Sequence, residues 1–295
     1  MPGPWPLTRL GTEVQRLQLL SETGDSSTLV PEVGRLRDVM ESLGNDPSED
    51  EAARRWDVRE ALLNIDRTVK IQLGQWDEAL AVNSEITVSM QARRAPASQI
   101  AVVRMNDYGP LLTLGKPSQA RDLLLGCRQT FLDAAELRMF STTLGALADA
   151  EDKLGHGDNA IRIAHDALRY GYAAEATGVI RDVYHNLGNY LARQGNRPSS
   201  ALACHLSAAV IKALSGTGDT ERSVHAAAVD LTFFGEAAEP PASIADLSSR
   251  INYIPGTEPA ALIAQLSPDP DTAEQALQDL IMRALAETSP GDATQ

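Results

Sequence analysis

Glycine recurs in this chain at positions 74, 115, 155, 195 and 235, in steps of 41, 40, 40 and 40 residues. Similar runs surround the first four. They are Leu73-Gly74-Gln75-Trp76-Asp77-Glu78-Ala79-Leu80, Leu114-Gly115-Lys116-Pro117-Ser118-Gln119-Ala120-Arg121, Leu154-Gly155-His156-Gly157-Asp158-Asn159-Ala160-Ile161 and Gln194-Gly195-Asn196-Arg197-Pro198-Ser199-Ser200-Ala201-Leu202. Phe233-Phe234-Gly235-Glu236-Ala237-Ala238 falls at the next expected place. Each run reads as a turn that ends one helix on glycine and opens the next with a turn residue or proline. A fixed period of this size marks stacked helix pairs, none of which can bury its apolar face alone. The expected fold is therefore all-α, a solenoid of antiparallel helix hairpins.

Taken in order, residues 7–22 carry Leu10, Val14, Leu17 and Leu20 at helical spacing. Pro31 suits the first turn of a second helix. Residues 1–45 thus read as an atypical hairpin that caps the stack, as terminal repeats do. The acidic stretch around Asp46-Pro47-Ser48-Glu49-Asp50 is a loop or a helix start capped by Ser48. Residues 46–235 hold the repeats. Four first helices are expected at 56–73, 98–114, 136–154 and 176–194, and four second helices at 76–92, 117–133, 158–170 and 198–214. Pro110 should kink or end the helix that contains it, because it removes one backbone donor. A fifth first helix is expected at 219–235. Residues 236–295 read as a C-terminal helical cap (helices near 242–252, 258–266 and 270–287) with a loose tail.

Composition narrows the function classes. Net charge is −14, from 40 acidic and 26 basic residues. Nucleic-acid phosphates and anionic membranes repel such a chain, so neither is an expected partner. Aromatic residues are only 4%, and alanine is abundant, which suits close helix packing. Arginine greatly outnumbers lysine (22 to 4), which hints at a GC-rich, bacterial genome. The two cysteines, Cys127 and Cys204, form no CxxC pair and read as buried hydrophobes in a reducing cytoplasm. Met1-Pro2-Gly3-Pro4-Trp5-Pro6 has neither the basic leader nor the apolar core of a signal peptide. No uncharged apolar run approaches ~18 residues.

The repeated residues resemble the tetratricopeptide repeat. The best match is Tyr184-His185-Asn186-Leu187-Gly188-Asn189-Tyr190-Leu191, followed by Gly195 and Ala201. The third hairpin matches through Leu144, Leu147, Ala148, Gly155, Ala160, Ala164 and Ala167. The first matches in the run from Gly74 to Leu80. The second matches in Gly115 and Ala120, with Tyr108 where the family has a small residue. The period is longer than that family's minimal unit and looks like its extended variant, as found in repeat arms of large bacterial regulatory proteins. The resemblance covers 56–215 well, and 7–45 and 219–252 loosely. It implies a right-handed α-α superhelix whose first helices line the concave side. It also implies a close crossing where the small residue of the first helix meets the alanine of the second.

In such a family, ligand contacts come from the first helices at i, i+4, i+8, which is one helix face. That face holds His185, Asn189 and Arg193 in the fourth hairpin. In the third it holds Gly145, Asp149 and Lys153, with Asp152 adjacent. Asn64, Met105 and His225 come from the first, second and fifth hairpins. Asn189 with Arg193 could hold a carboxylate or a peptide amide; an ordinary solvated helix face fits the same residues. The carboxylate-clamp set of Lys and Asn seen in some members of the family is not reproduced.

His165, His185, His205 and His225 stand 20 residues apart, which looks like a metal comb. The repeat explains the spacing, since two lie in first helices and two in second helices. Neighbouring first helices stand about 9–10 Å apart, too far for two rings to share an ion without further ligands. No metal or cofactor is expected. There is no P-loop, G-x-S-x-G, H-E-x-x-H or glycine-rich dinucleotide turn, so no catalytic role is expected either. The expected function is a non-catalytic scaffold, or the sensor arm of a larger protein such as a STAND-type NTPase or CHAT protease. Its partner would be a protein or peptide held in the concave groove, or other domains of that larger protein. A ligand-sensing regulator that binds a small molecule or signalling peptide remains open, and so does an enzyme built on an α-solenoid.

Overall fold

The computed structural model describes residues 6–23, 26–43 and 49–194, together with 201, 204, 205, 207, 208 and 211. The expected helices beyond 214, and His225, lie outside the described residues. Among the described residues the chain is all-helical. The helices are α1 (Pro6–Thr23), α2 (Ser26–Ser42), α3 (Glu49–Gln72), α4 (Trp76–Ala92), α5 (Ala97–Met105), α6 (Tyr108–Thr113), α7 (Pro117–Asp133), α8 (Leu137–Lys153), α9 (Gly157–Ala173) and α10 (Thr177–Gln194). No helix among them is long and apolar enough to cross a membrane. The chain divides into two compact units, Met1–Leu123 and Leu124–Gln295.

The period is built from turns. Gly74, Gly115 and Gly155 have φ of 73°, 69° and 82°, the left-handed conformation that glycine adopts without a Cβ penalty. Two backbone bonds close each turn. At the third, the Gly155 N–H donates to the Asp152 carbonyl and the His156 N–H to the Glu151 carbonyl, both at 2.9 Å. The Gly74 and Gly115 turns repeat the pattern, through Gln75 to Lys70 and Lys116 to Leu111 at 2.8 Å. This is the Schellman arrangement, which satisfies the last carbonyls of a helix.

A second series of turns joins each hairpin to the next, and the sequence does not announce it. Arg94, Ala135 and Glu175 also lie in the left-handed region, at φ 57°, 56° and 51°. They too are spaced by 41 and 40 residues. Ala95 donates to Met90, Glu136 to Phe131 and Ala176 to Gly171, at 2.9, 3.0 and 2.9 Å. Between residues 74 and 175 the helix turns therefore alternate between the same cap built on glycine and the same cap built on an ordinary residue.

In the first unit, α3 is apolar on two sides. Leu62, Ile65 and Val69 close a core with Leu10, Val14, Leu17, Leu29, Val33, Leu36 and Met40 of α1 and α2. Leu63 turns the other way, to Val82, Ile86, Met90 and Val103. Two arginines fix these helices through three ion pairs. Arg37 of α2 bonds Asp66 at 2.5 Å and Glu85 at 2.8 Å. Arg93 grips the buried Glu60 with Nε and Nη2 at 2.9 and 2.8 Å, and Ser89 donates to the same carboxylate. A fork of this kind satisfies a carboxylate that burial would otherwise strand. The helix expected from 56 starts at Glu49, and Pro31 sits within α2 rather than in its first turn. Pro110 acts as expected. An unbroken helix would need its absent N–H to bond Asn106, and the chain breaks there, between α5 and α6.

In the second unit, α9 packs on both α8 and α10. Ala146, Leu147, Ala148 and Ala150 of α8 are buried, as are Ala160, Ala164 and Ala167 of α9 and Val183, Tyr184 and Leu187 of α10.

The left-handed turns generate a test. An L-residue in this conformation costs about 1–2 kcal/mol, partly offset by the extra chain entropy of glycine. Ala135→Gly is expected to stabilise the protein by about 0.5–1 kcal/mol, and Gly155→Ala to destabilise it by about 1 kcal/mol. Urea unfolding midpoints read both. Equal midpoints for all three proteins would mean that the turns carry no strain.

Candidate interaction face

The face is built on α8 and α10, which a close approach holds together. A Cβ on Gly145 of α8 would meet Val183 Cγ2 of α10 at 3.1 Å. A Cβ on Gly171 of α9 would meet Ile180 Cγ1 at 3.0 Å and Ser141 Oγ at 3.2 Å. Ser141 donates to the Ala167 carbonyl at 2.7 Å, and the Tyr172 and Tyr184 hydroxyls share a buried bond of 3.0 Å. Three helices so pinned present their polar residues in a fixed relation.

The structure brings several sequence-derived site residues together. Arg193 near the end of α10 donates through Nη2 to Asp152 Oδ2 of α8 at 2.6 Å. Its guanidinium also lies 5.6 Å from the centre of the Tyr190 ring. Asp149, one turn before Lys153, is half-buried on α8. Burial pushes its carboxyl above the ordinary value, and Asp152 adds to that. Lys153 and Arg193 pull it back down. Lys153 is exposed in the last turn of α8, and Asn189 is half-buried on α10. Asp149, Asp152, Lys153, Asn189 and Arg193 thus form a face of mixed charge on two neighbouring helices.

The remaining site residues behave differently. His185 is half-buried, and its ring centre is 5.5 Å from that of His205. The histidine spacing therefore does place two rings together, although the pair joins a first helix to a second helix rather than two first helices. No group of three ligating side chains occurs among the described residues. Asn64 bonds back to the Glu60 carbonyl of its own helix at 2.9 Å, and Met105 is buried. Both belong to the first unit.

Sequence reasoning missed two features here. Glu151, beside the predicted Asp152, is buried and bonds the His156 ring at 2.7 Å. His205 is buried against Gly188, where a Cβ would stand 2.4 Å from two of its ring atoms. The signal for the second was present, because the Leu187-Gly188 pair marks a close crossing. The size of the group filling it was not legible.

No family model and no curated protein matches the sequence. Among solved structures the chain is similar to BtubC (BKLC) from P. vanneervenii. The TM-score is 0.53 and the identity 12%, over 95% of this chain and 94% of that one. Identity this low carries a likeness of fold alone.

The Gly188 crossing makes a prediction. Gly188→Ala must displace a buried ring or force the helices apart, a cost of about 1–3 kcal/mol. Gly178→Ala, on the same helix with open space around its Cβ, should not destabilise. Denaturant midpoints that fail to separate the two variants would contradict the packing.

Proposed function

We propose that this chain is a non-catalytic interaction module of the tetratricopeptide type. In this reading the hairpins stack as a right-handed α-solenoid that takes a peptide segment or helix of a protein partner along its first helices. One observation carries the reading: two capped turns recur in step every 40–41 residues. A chain so built extends by repetition and presents a surface too shallow to assemble convergent catalytic groups, but long enough to grip a peptide. The mixed-charge face of α8 and α10 supplies side chains of both signs for such a grip. Cys127 and Cys204 are buried and joined in no disulfide, which fits work in a reducing cytoplasm.

The test is affinity capture from the source cell's lysate with the wild type and with a Lys153→Ala/Asn189→Ala/Arg193→Ala variant. His185 stays intact because its ring packs on His205, so its loss would confound folding with binding. In the Arg193–Asp152 pair the arginine is more than half exposed, and such a pair is worth about 1 kcal/mol, so the variant should keep its melting temperature to within a few degrees. Supporting the reading requires one protein retained by the wild type and lost by an equally stable variant. Identical or empty captures would remove the face from consideration.

A further inference from the structure

The first unit holds a polar seam where the α3–α4 hairpin meets the next one at the α5–α6 break. Arg67 of α3 donates through Nη1 to Asn83 Oδ1 at 3.1 Å. Asn83 of α4 is fully buried, and its Nδ2 donates to Asp107 Oδ1 and to the Val103 carbonyl, both at 2.8 Å. One amide therefore bridges a cation and an anion, its oxygen toward the guanidinium and its nitrogen toward the carboxylate. Arg67 Nε is buried and makes no hydrogen bond among the described residues.

The fold does not require this chemistry. Counted from the turn glycines, Arg67 and Ala148 each stand seven residues before Gly74 and Gly155, and Asn83 and Ala164 nine residues after them. Asp107 and Leu187 each stand eight residues before Gly115 and Gly195. Ala148, Ala164 and Leu187 are buried. The repeat thus has an apolar solution at these three positions, and the first unit replaces it with a costlier polar one.

Asp107 also forgoes its local role. It stands at the N-cap of α6, yet makes no capping bond, and its backbone (φ −76°, ψ −16°) stays helical. Its carboxylate turns to Asn83 instead, across the break that Pro110 imposes.

We propose that the Arg67–Asn83–Asp107 seam is a proton-operated joint, which binds its two hairpins more tightly when Asp107 is protonated than when it is charged. Around Asp107, α3 supplies Arg67, α4 supplies the neutral Asn83, and α5 supplies Arg104. Burial raises the carboxyl from 3.8 to about 6, against the opposing pull of the Asn83 bond, Arg67 and Arg104. The folded pKa lies above the unfolded one. The stabilising contribution is therefore complete below about 3.8 and is lost as pH rises through about 6. Glu13 and Glu32 have the opposite sign. Hydrogen bonds from Arg35 hold them below their ordinary values, so their contribution is lost only in stronger acid. Burial also raises the Asp149 carboxyl in the other unit, so the response of the joint is read at Asp107 itself.

Two measurements on the full chain test this. Side-chain carboxyl NMR should give Asp107 a midpoint near 6; a midpoint near 4 overturns the proposal. Hydrogen exchange, corrected for intrinsic rate, should show α4 to α6 several-fold better protected at pH 5 than at pH 7.5. Asp107→Asn, which keeps the acceptor and removes the charge, should show the acid-level protection at both values. An Asp107→Asn protein that keeps the wild-type pH response, or is less protected than the wild type at both values, also overturns it.

Discussion

The left-handed cap is the constraint from which the architecture follows. α3, α4, α6, α7, α8 and α9 each end by turning one residue to positive φ and closing two backbone bonds behind it. That geometry reverses the chain within a few residues and fixes the direction of the next helix. Because the same cap recurs from Gly74 to Glu175, the hairpins of that stretch hand the chain on in the same way. Packing then acts on helices whose course is already set. Ala148, Ala160, Ala164 and Ala167 keep side chains short where α8 and α9 approach.

Where helices cross this closely, a position can be filled in few ways, and the chain uses different ones. Ala148 and Ala164 give the apolar version. Gly188 gives up its side chain to make room for an imidazole. Arg67 and Asn83 fill the equivalent space with a hydrogen-bonded pair. The apolar version is the more stable and the least discriminating. The polar one demands a particular partner, since Asn83 is satisfied only if Asp107 and the Val103 carbonyl arrive in register. Buried polar groups of this kind can fix which helices meet. In a repeat protein, where one hairpin could pack against another's surface, that selectivity has a physical use.

The backbone was more legible than the side chains. Glycine in the left-handed region leaves a mark in sequence, so Gly74, Gly115 and Gly155 located one set of turns and most helix ends within a few residues. Arg94, Ala135 and Glu175 adopt nearly the same φ without any compositional mark, because the flanking helices force it. Pro110 announced its break through covalent chemistry. By contrast, α3 begins well before its apolar pattern does, since Glu49, Asp50, Glu51, Arg54 and Arg55 are charged and only Ala52 and Ala53 interrupt them. The candidate face was legible as a set of positions. Which members pair was not, because the Arg193–Asp152 contact depends on how α8 and α10 sit against each other.

Charge placement ties fold to surface. The chain has few basic residues, and many of those described are already paired across helices: Arg37 with Asp66 and Glu85, Arg93 with Glu60, Lys70 with Glu78, Lys116 with Asp77, Arg193 with Asp152. Each such pair neutralises a cation locally and leaves the acidic excess of −14 to the surface as a whole. A field of that sign slows the approach of phosphates and speeds that of cationic groups, most strongly at low salt. On the α8–α10 face the pairing has a second effect. With Arg193 held by Asp152, the exposed Lys153 and the half-buried Asp149 stand beside a neutralised pair. The half-buried carboxylate has lost hydration, and that loss is what raises its proton affinity above the ordinary value against the pull of both cations.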